Sequence, residues 1–247
     1  MDVFGVDIGG TGIKGAPVDL DKGDVTERRY KMPTPHPATP DAVLDGVADV
    51  VSHFGWSGPL GVTFPGVVVD GVTRTAANVD KAWIGVDARK ALGERLGLPV
   101  VVMNDADAAG IAEMTFGAGR GRGSTVIVLT LGTGIGSAVF VDGRLLPNTE
   151  LGHLELHGHD AESRASVKAR EDGDLSWEHW AHRLRKYLAH VEMLFSPDLF
   201  VLGGGVSRKA EKFLPYLHGH GLSAEIVPAE LQNNAGIVGA AMAAAKL

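Results

Sequence analysis

Cysteine is absent from the 247 residues, which excludes a disulfide framework and any thiolate-ligated zinc or iron–sulfur site. Long apolar runs are missing as well. The stretch around Thr125–Leu131 falls well short of a membrane span. The N-terminus enters an apolar strand at once, without the basic stretch and cleavage site of a signal peptide, so a cytoplasmic protein with no membrane partner is expected. Positive charge is in deficit: 23 Lys and Arg stand against 30 Asp and Glu, a net charge of −7. That balance argues against a general nucleic-acid binder, but it leaves a local basic patch free to hold a polyanion. No GxxxxGK[ST] run occurs, so there is no Walker P-loop. What is plentiful is glycine, at 34 residues, more than average composition predicts, so many backbone positions need tight turns or close approach.

The opening residues read as strand, glycine turn, strand. Val3–Asp7 is apolar and runs into Gly9-Gly10-Thr11-Gly12, and Ile13–Val18 follows. Pro17 fits there only if its missing N–H faces away from the ladder. A third strand is expected near Val25–Met32, then a Pro-rich loop and a helix over Asp41–Phe54 with Asp41 as its cap. Strands at Leu60–Phe64 and Val67–Val69, a helix near Val86–Leu96, a strand at Pro99–Met103 and an alanine-rich helix at Asp105–Phe116 complete the first half. Then the opening pattern returns. Thr125–Leu131 is apolar, Gly132-Thr133-Gly134 is a turn, and Ile135–Val141 is a second strand closed by Asp142-Gly143. The recurrence implies two similar lobes, divided as 1–103 and 104–247, with helix 235–245 able to pack back on the first. The segment Leu175–Ser196 carries one apolar stripe, Trp177, Trp180, Ala181, Leu184, Tyr187, Leu188, Val191, Leu194 and Phe195, and is expected to be core or a dimer interface. Pro197 ends it. A last strand, Leu199–Leu202, enters Gly203-Gly204-Gly205.

Gly10-Thr11-Gly12-Ile13-Lys14-Gly15 satisfies GxGxxG, but its glycines lead into a strand rather than a helix, which rejects a dinucleotide fold. Each glycine turn instead carries a Thr between glycines. Such turns offer backbone N–H groups and a hydroxyl at close range, which suits phosphate oxygens. Gly9, Gly10, Thr11 and Gly12 form one candidate cradle, and Thr130, Gly132, Thr133 and Gly134 the other. Lys14 adds positive charge, and Asp7 is placed to hold a magnesium-bound water. Ordinary hairpin turns with a solvated Asp7 are the competing reading, and the matched pair favours phosphate.

At Asp7–Lys14 and Leu129–Gly136 the sequence resembles the two phosphate motifs of the actin-like ATPase superfamily. Along nearly its whole length it resembles the ROK (repressor, open reading frame, kinase) sugar kinases. Gly61–Gly66 is similar to their Pro-Gly sugar-site strand, Asn104-Asp105 to their catalytic segment, Glu150-Leu151-Gly152-His153 to their E-x-G-H sugar clamp, and Leu202–Val206 to their nucleotide-side glycine turn. Asn78–Gly85 and the compact length look most like the branch that uses polyphosphate to phosphorylate glucose. The resemblance implies an α/β, ribonuclease-H-like fold, two lobes with mixed sheets flanked by helices around a cleft, and a homodimer. It implies transfer of a terminal phosphate from polyphosphate or ATP, with Mg²⁺, to the 6-hydroxyl of glucose. Asp105 would be the base, although Asp at a helix start serves equally as a cap. Asn104, Glu150 and His153 would hold the sugar, with Gly66 and Asn78 as weaker members. Gly203, Gly204 and Gly205 would face the nucleotide.

The family pattern fails at one point. Many ROK proteins follow the Gly-His with a cysteine-rich zinc loop, and none is possible here. Glu155 or Glu162 is left to replace the glutamate that loop delivers, with Glu162 preferred. No zinc is expected at His153, His157 and His159, whose spacing matches no standard site. Where the loop would stand are Arg164, Lys168 and Arg170. With Lys81, Arg120 and Arg122 they could line a polyphosphate groove, and a solvated charged face is the plainer alternative. Rival functions are a ROK repressor, which would need a helix-turn-helix ahead of Val3; a kinase for mannose, fructose or an N-acetylhexosamine; and a non-catalytic ATP-binding module.

Overall fold

A computed structural model of the chain describes residues 2–217 and 221–247. In chain order the first half holds β1 (Asp2–Ile8), β2 (Ile13–Asp19), β3 (Asp24–Val25), β4 (Tyr30–Met32), α1 (Pro40–His53) and β5 (Leu60–Phe64). It continues with β6 (Val68–Val69), β7 (Val72–Thr73), α2 (Ala88–Leu96), β8 (Val100–Asn104) and α3 (Asp105–Phe116). The second half holds β9 (Val126–Leu131), β10 (Ile135–Val141), β11 (Arg144–Leu146), β12 (Glu155–Leu156), β13 (His159–Asp160), α4 (Glu162–Ala165) and α5 (Val167–Asp172). Helix α6 (Trp177–Phe195), β14 (Leu199–Gly203), β15 (Glu225–Pro228) and α7 (Ala235–Ala244) close it.

The chain divides into two compact units, residues 1–112 with 234–247, and residues 113–233. The division falls inside α3, past the 103/104 boundary expected from sequence. The first part of α3 packs tightly on α7, where a Cβ on Gly239 would collide with the Ala108 carbonyl, so those residues stay with the first unit. Helix α7 joins the first unit.

In the first unit the sheet runs β3-β2-β1-β5-β8, with β4 also on β2. The β1–β2 hairpin is antiparallel, and β5 and β8 add in parallel. Pro17 lies opposite Phe4, and its carbonyl still accepts from the Thr26 N–H at 2.9 Å. The core packs Phe4, Val6, Val47, Val62, Phe64 and Trp83, all with at most 1% exposure. Helix α7 lies unusually close on this sheet. A Cβ on Gly5 would collide with the Ile237 carbonyl, and one on Gly61 with that of Ala240. The two missing side chains let a small-residue helix settle onto the strands.

Several local expectations shift. The single strand foreseen over Val25–Met32 is two short ones, β3 and β4, both on β2. Thr39, not Asp41, stands at the N-cap position of α1, without a side-chain capping bond, because Pro40 takes the first helical position, where a missing N–H costs nothing. Helix α2 starts at Ala88, after Asp87 accepts the Lys90 N–H, and α7 ends at Ala244 rather than 245.

In the second unit the sheet runs β11-β10-β9-β14-β15. Again there is an antiparallel hairpin, β9–β10, with two strands added in parallel, β14 and β15. The duplicated pattern in the sequence is thus a duplicated topology. Helix α6, capped by Ser176, buries Trp180, Ala181, Leu184, Tyr187, Leu188 and Val191 against the sheet. Leu194 departs from the expected stripe and is 51% exposed, since Ser196 turns into the left-handed region and ends the helix. Glu113 fastens the end of α3 by accepting N–H bonds from Ala118, Glu230 and Leu231.

Candidate active site

In the first unit, β1 delivers Asp7 to the start of the glycine turn. Its Oδ1 accepts from Thr63 on β5 at 2.6 Å, and its Oδ2 lies 2.8 Å from the Lys14 ammonium. Burial alone would raise the Asp7 pKa. The Lys14 charge, hydrogen bonds from Lys14 and Thr63, and the Arg29 guanidinium together outweigh it, so the group sits below the ordinary carboxylate value. Lys14 is therefore spent on Asp7 rather than standing free at the turn. Gly9 closes the turn by donating to the Gly12 carbonyl at 3.0 Å, and Thr34 donates to the Gly9 carbonyl at 2.5 Å. Gly10 and Thr11 form the outer edge, with Thr11 exposed. Sequence reasoning missed Lys31. It lies opposite Lys14 on β4, and its stem packs against Gly12 where a Cβ would otherwise stand. The lysine on the neighbouring short strand was the only available signal.

Also in the first unit, β8 ends at Asn104 and α3 begins at Asp105. Asn104 is 3% exposed, and its Oδ1 accepts the Asp107 N–H at 2.9 Å while its Nδ2 donates to the Gly66 carbonyl at 3.0 Å. The cap of this helix is thus Asn104. Asp105 is half-buried, and its Oδ1 accepts the adjoining Ala106 N–H at 2.8 Å. Gly66 approaches the Thr75 carbonyl closely. Asn78 is exposed, a short way ahead of the 3-10 turn Lys81–Trp83, and Lys81 donates to the Ala76 carbonyl at 2.6 Å.

In the second unit, Gly132 donates to the Gly134 carbonyl at 3.0 Å, and Lys168 donates its backbone N–H to the Gly132 carbonyl at 3.1 Å. Thr130 faces Gly136 and Gly203 across the sheet. Thr133 is exposed and lines a recess of about 260 Å³ with Glu162, Ser166 and Lys168. Glu162 reaches across the turn: its Oε2 accepts the Ile135 N–H at 2.9 Å, through space that a Cβ on Gly134 would fill.

Glu162 has company. His153, on the 3-10 turn Leu151–His153, hydrogen-bonds Asp160 through Nδ1 at 2.9 Å, and its Nε2 lies 3.8 Å from Glu150. Ligand atoms of His153, Asp160 and Glu162 lie within 4.8 Å of one another. Three carboxylates thus surround one imidazole. The hydrogen bond to Asp160 raises the His153 pKa above its usual value; burial opposes this, and the charges of Glu162, Asp160 and Glu150 add to it. Glu150 is raised too, by burial first and by the Glu162 charge, with His153 opposing. Asp160 is the member that spacing did not disclose, because its place depends on the β12–β13 hairpin. Glu155, the alternative to Glu162, is exposed on β12. His157 is exposed, and His159 bonds Arg164.

The glycine run at the end of β14 brings Gly203 opposite Thr130, with Gly204 and Gly205 leading into a 3-10 segment, Gly205–Lys212. Of the basic residues expected along a groove, Lys168 is paired with Asp172 at 2.7 Å and Arg122 with Glu225 at 2.7 Å. Arg120 is exposed, and Arg170 stacks on Trp177 at 3.8 Å.

The model of the ROK family matches residues 3–169. A polyphosphate glucokinase of Mycobacterium tuberculosis (strain CDC 1551 / Oshkosh) is 55% identical over 241 residues, covering 97% of this chain and 90% of its own. The crystal structure of an inorganic polyphosphate/ATP-glucomannokinase from Arthrobacter sp. strain KM superimposes with a TM-score of 0.96 at 54% identity, covering 99% of this chain and 98% of the other. A ROK family glucokinase from Streptomyces griseus, in complex with glucose and AMPPNP, gives a TM-score of 0.86 at 28% identity over the full length of both chains. The fold is therefore the actin-like one of the ROK sugar kinases, and the chain belongs to the ROK family.

Proposed function

We propose that the protein is a phosphotransferase that moves the terminal phosphate of polyphosphate, or of ATP, to the 6-hydroxyl of glucose. The observation that carries this reading is the 55% identity to a polyphosphate glucokinase across nearly the whole chain. Two glycine turns of matched topology and the Glu150–His153–Glu162 group support it. The glucomannokinase likeness adds mannose as a second acceptor to test.

Asp105 takes the proton of the sugar 6-hydroxyl. The oxygen then forms its bond to the terminal phosphorus while the bridging P–O bond breaks, and the electron pair leaves with the shortened donor. Asn104 caps the helix that presents Asp105, whose own Oδ1 accepts the Ala106 N–H. Glu150, His153 and Glu162 accept from or donate to sugar hydroxyls, and Asp160 orients the imidazole through Nδ1. The raised Glu150 pKa suits a carboxylate that gains partners only when sugar binds. Magnesium, when bound with the donor, would neutralise phosphate charge. Asp7 fits it through a water, because its two oxygens already hold Lys14 and Thr63.

The direct test is Asp105→Asn. It keeps shape and removes the base, so kcat should fall by roughly 10²–10⁴-fold while glucose binding, followed by calorimetry, survives. Unchanged turnover would remove Asp105 from the mechanism.

A further inference from the structure

Within the second unit three cations gather round one ring. The Arg170 guanidinium lies 3.8 Å from the Trp177 ring centre, and the ammonium groups of Lys209 and Lys212 lie 5.9 Å from it. Both lysines are therefore within about 10 Å of the guanidinium, one Debye length at 0.1 M salt, so their repulsion is only partly screened. The ring quadrupole offsets some of it. Among the described residues no carboxylate is within ion-pairing distance of any of the three, and the Arg170 Nε is buried with no hydrogen-bond partner. The contrast with Lys168 and Arg122, both neutralised, is internal to the same unit.

The two segments that bring these cations together are rooted at one place. Helix α5, which carries Arg170, is tied to the second glycine turn by the Lys168 N–H on the Gly132 carbonyl. The 3-10 segment with Lys209 and Lys212 leaves β14 at Gly203, opposite Thr130, and a Cβ on Gly204 would collide with the Leu131 carbonyl. Turn and trio thus share one scaffold.

We propose that Arg170, Lys209 and Lys212 around Trp177 bind the inner phosphates of an extended polyphosphate chain whose end lies at Gly132–Gly134. The position of the chain end rests on the donor reading above, whereas the binding itself does not. A linear polyanion suits spaced cations that lack carboxylates of their own.

The test is the exposed pair, Lys209→Ala/Lys212→Ala, with Lys209→Arg/Lys212→Arg as the conservative control. Binding of long-chain polyphosphate and of tripolyphosphate is followed by tryptophan fluorescence across a salt series. The alanine pair should lose about tenfold in long-chain affinity, and the slope of log affinity against log salt should fall by about two, one for each phosphate contact removed. The arginine pair should keep both, and tripolyphosphate affinity should not move. Wild-type affinity and slope in the alanine pair would overturn the proposal. So would equal binding of long and short chains, or of single-stranded DNA at the same phosphate content. Long-chain binding through the trio without phosphate transfer to glucose would leave the site standing and remove the donor reading alone.

Discussion

Asp7 carries its charge against the pull of burial because Lys14 and Thr63 each hold one oxygen. Its pKa is depressed below the ordinary 3.8. The stability it contributes is therefore fully present above that value and is lost as pH falls through the lower folded one. Lys14→Met removes the strongest offset, so acid unfolding of that variant should begin at higher pH than in the wild type. An unchanged acid midpoint by circular dichroism would contradict the assignment. His153 runs the other way. Its pKa is raised above 6.5, chiefly by Asp160, so its contribution is complete below 6.5 and is lost as pH rises through the folded value. Asp160→Asn should bring the His153 titration, read by NMR, down towards the ordinary value; a titration that does not move would mean the bond is not made in solution. Asn104 accepts the Asp107 N–H and Asp105 the Ala106 N–H, so two neighbouring side chains share the first turn of α3.

At the scale of elements, helix α7 depends on what two strands lack. Gly61→Ala puts a methyl group into the Ala240 carbonyl, a backbone clash that no rotamer relieves. The loss should be about 3 kcal/mol or more, read as a lowered Tm; a wild-type Tm would show that α7 lies further from β5. The two hairpins and α6 were legible in the sequence because each combines a strong period with an explicit stop, a glycine turn or Pro197, and α3 was legible from its alanine content. Less legible were features set by partners distant in the chain. Strand β7, the pair β12–β13 and the edge strand β15 carry too few residues for a period to register, whereas β6 was expected at Val67–Val69. The Asp160 hydrogen bond could not be read for the same reason, because it depends on a two-residue hairpin. Pro40 displaced the cap expected at Asp41, where a rule about prolines outranked a rule about acidic residues. The sequence left Glu155 and Glu162 as alternatives, with Glu162 preferred. In the structure Glu162 accepts the Ile135 N–H across Gly134 and stands near His153, whereas Glu155 is exposed on β12.

For the whole molecule, the same arrangement of hairpin and parallel strands occurs once in each unit, and each hairpin turn carries the Gly-Thr-Gly element suited to phosphate. The net charge of −7 makes unneutralised cations such as Lys209 and Lys212 conspicuous against a mostly acidic background, which is why donor length is the property most open to test. The central claim is phosphate transfer from polyphosphate to glucose. It is tested most directly by assaying glucose 6-phosphate with Mg²⁺ and long-chain polyphosphate, free of nucleotide, beside ATP. Glucose 6-phosphate is expected with polyphosphate alone; its absence under conditions where ATP supports turnover would rule out polyphosphate as the donor.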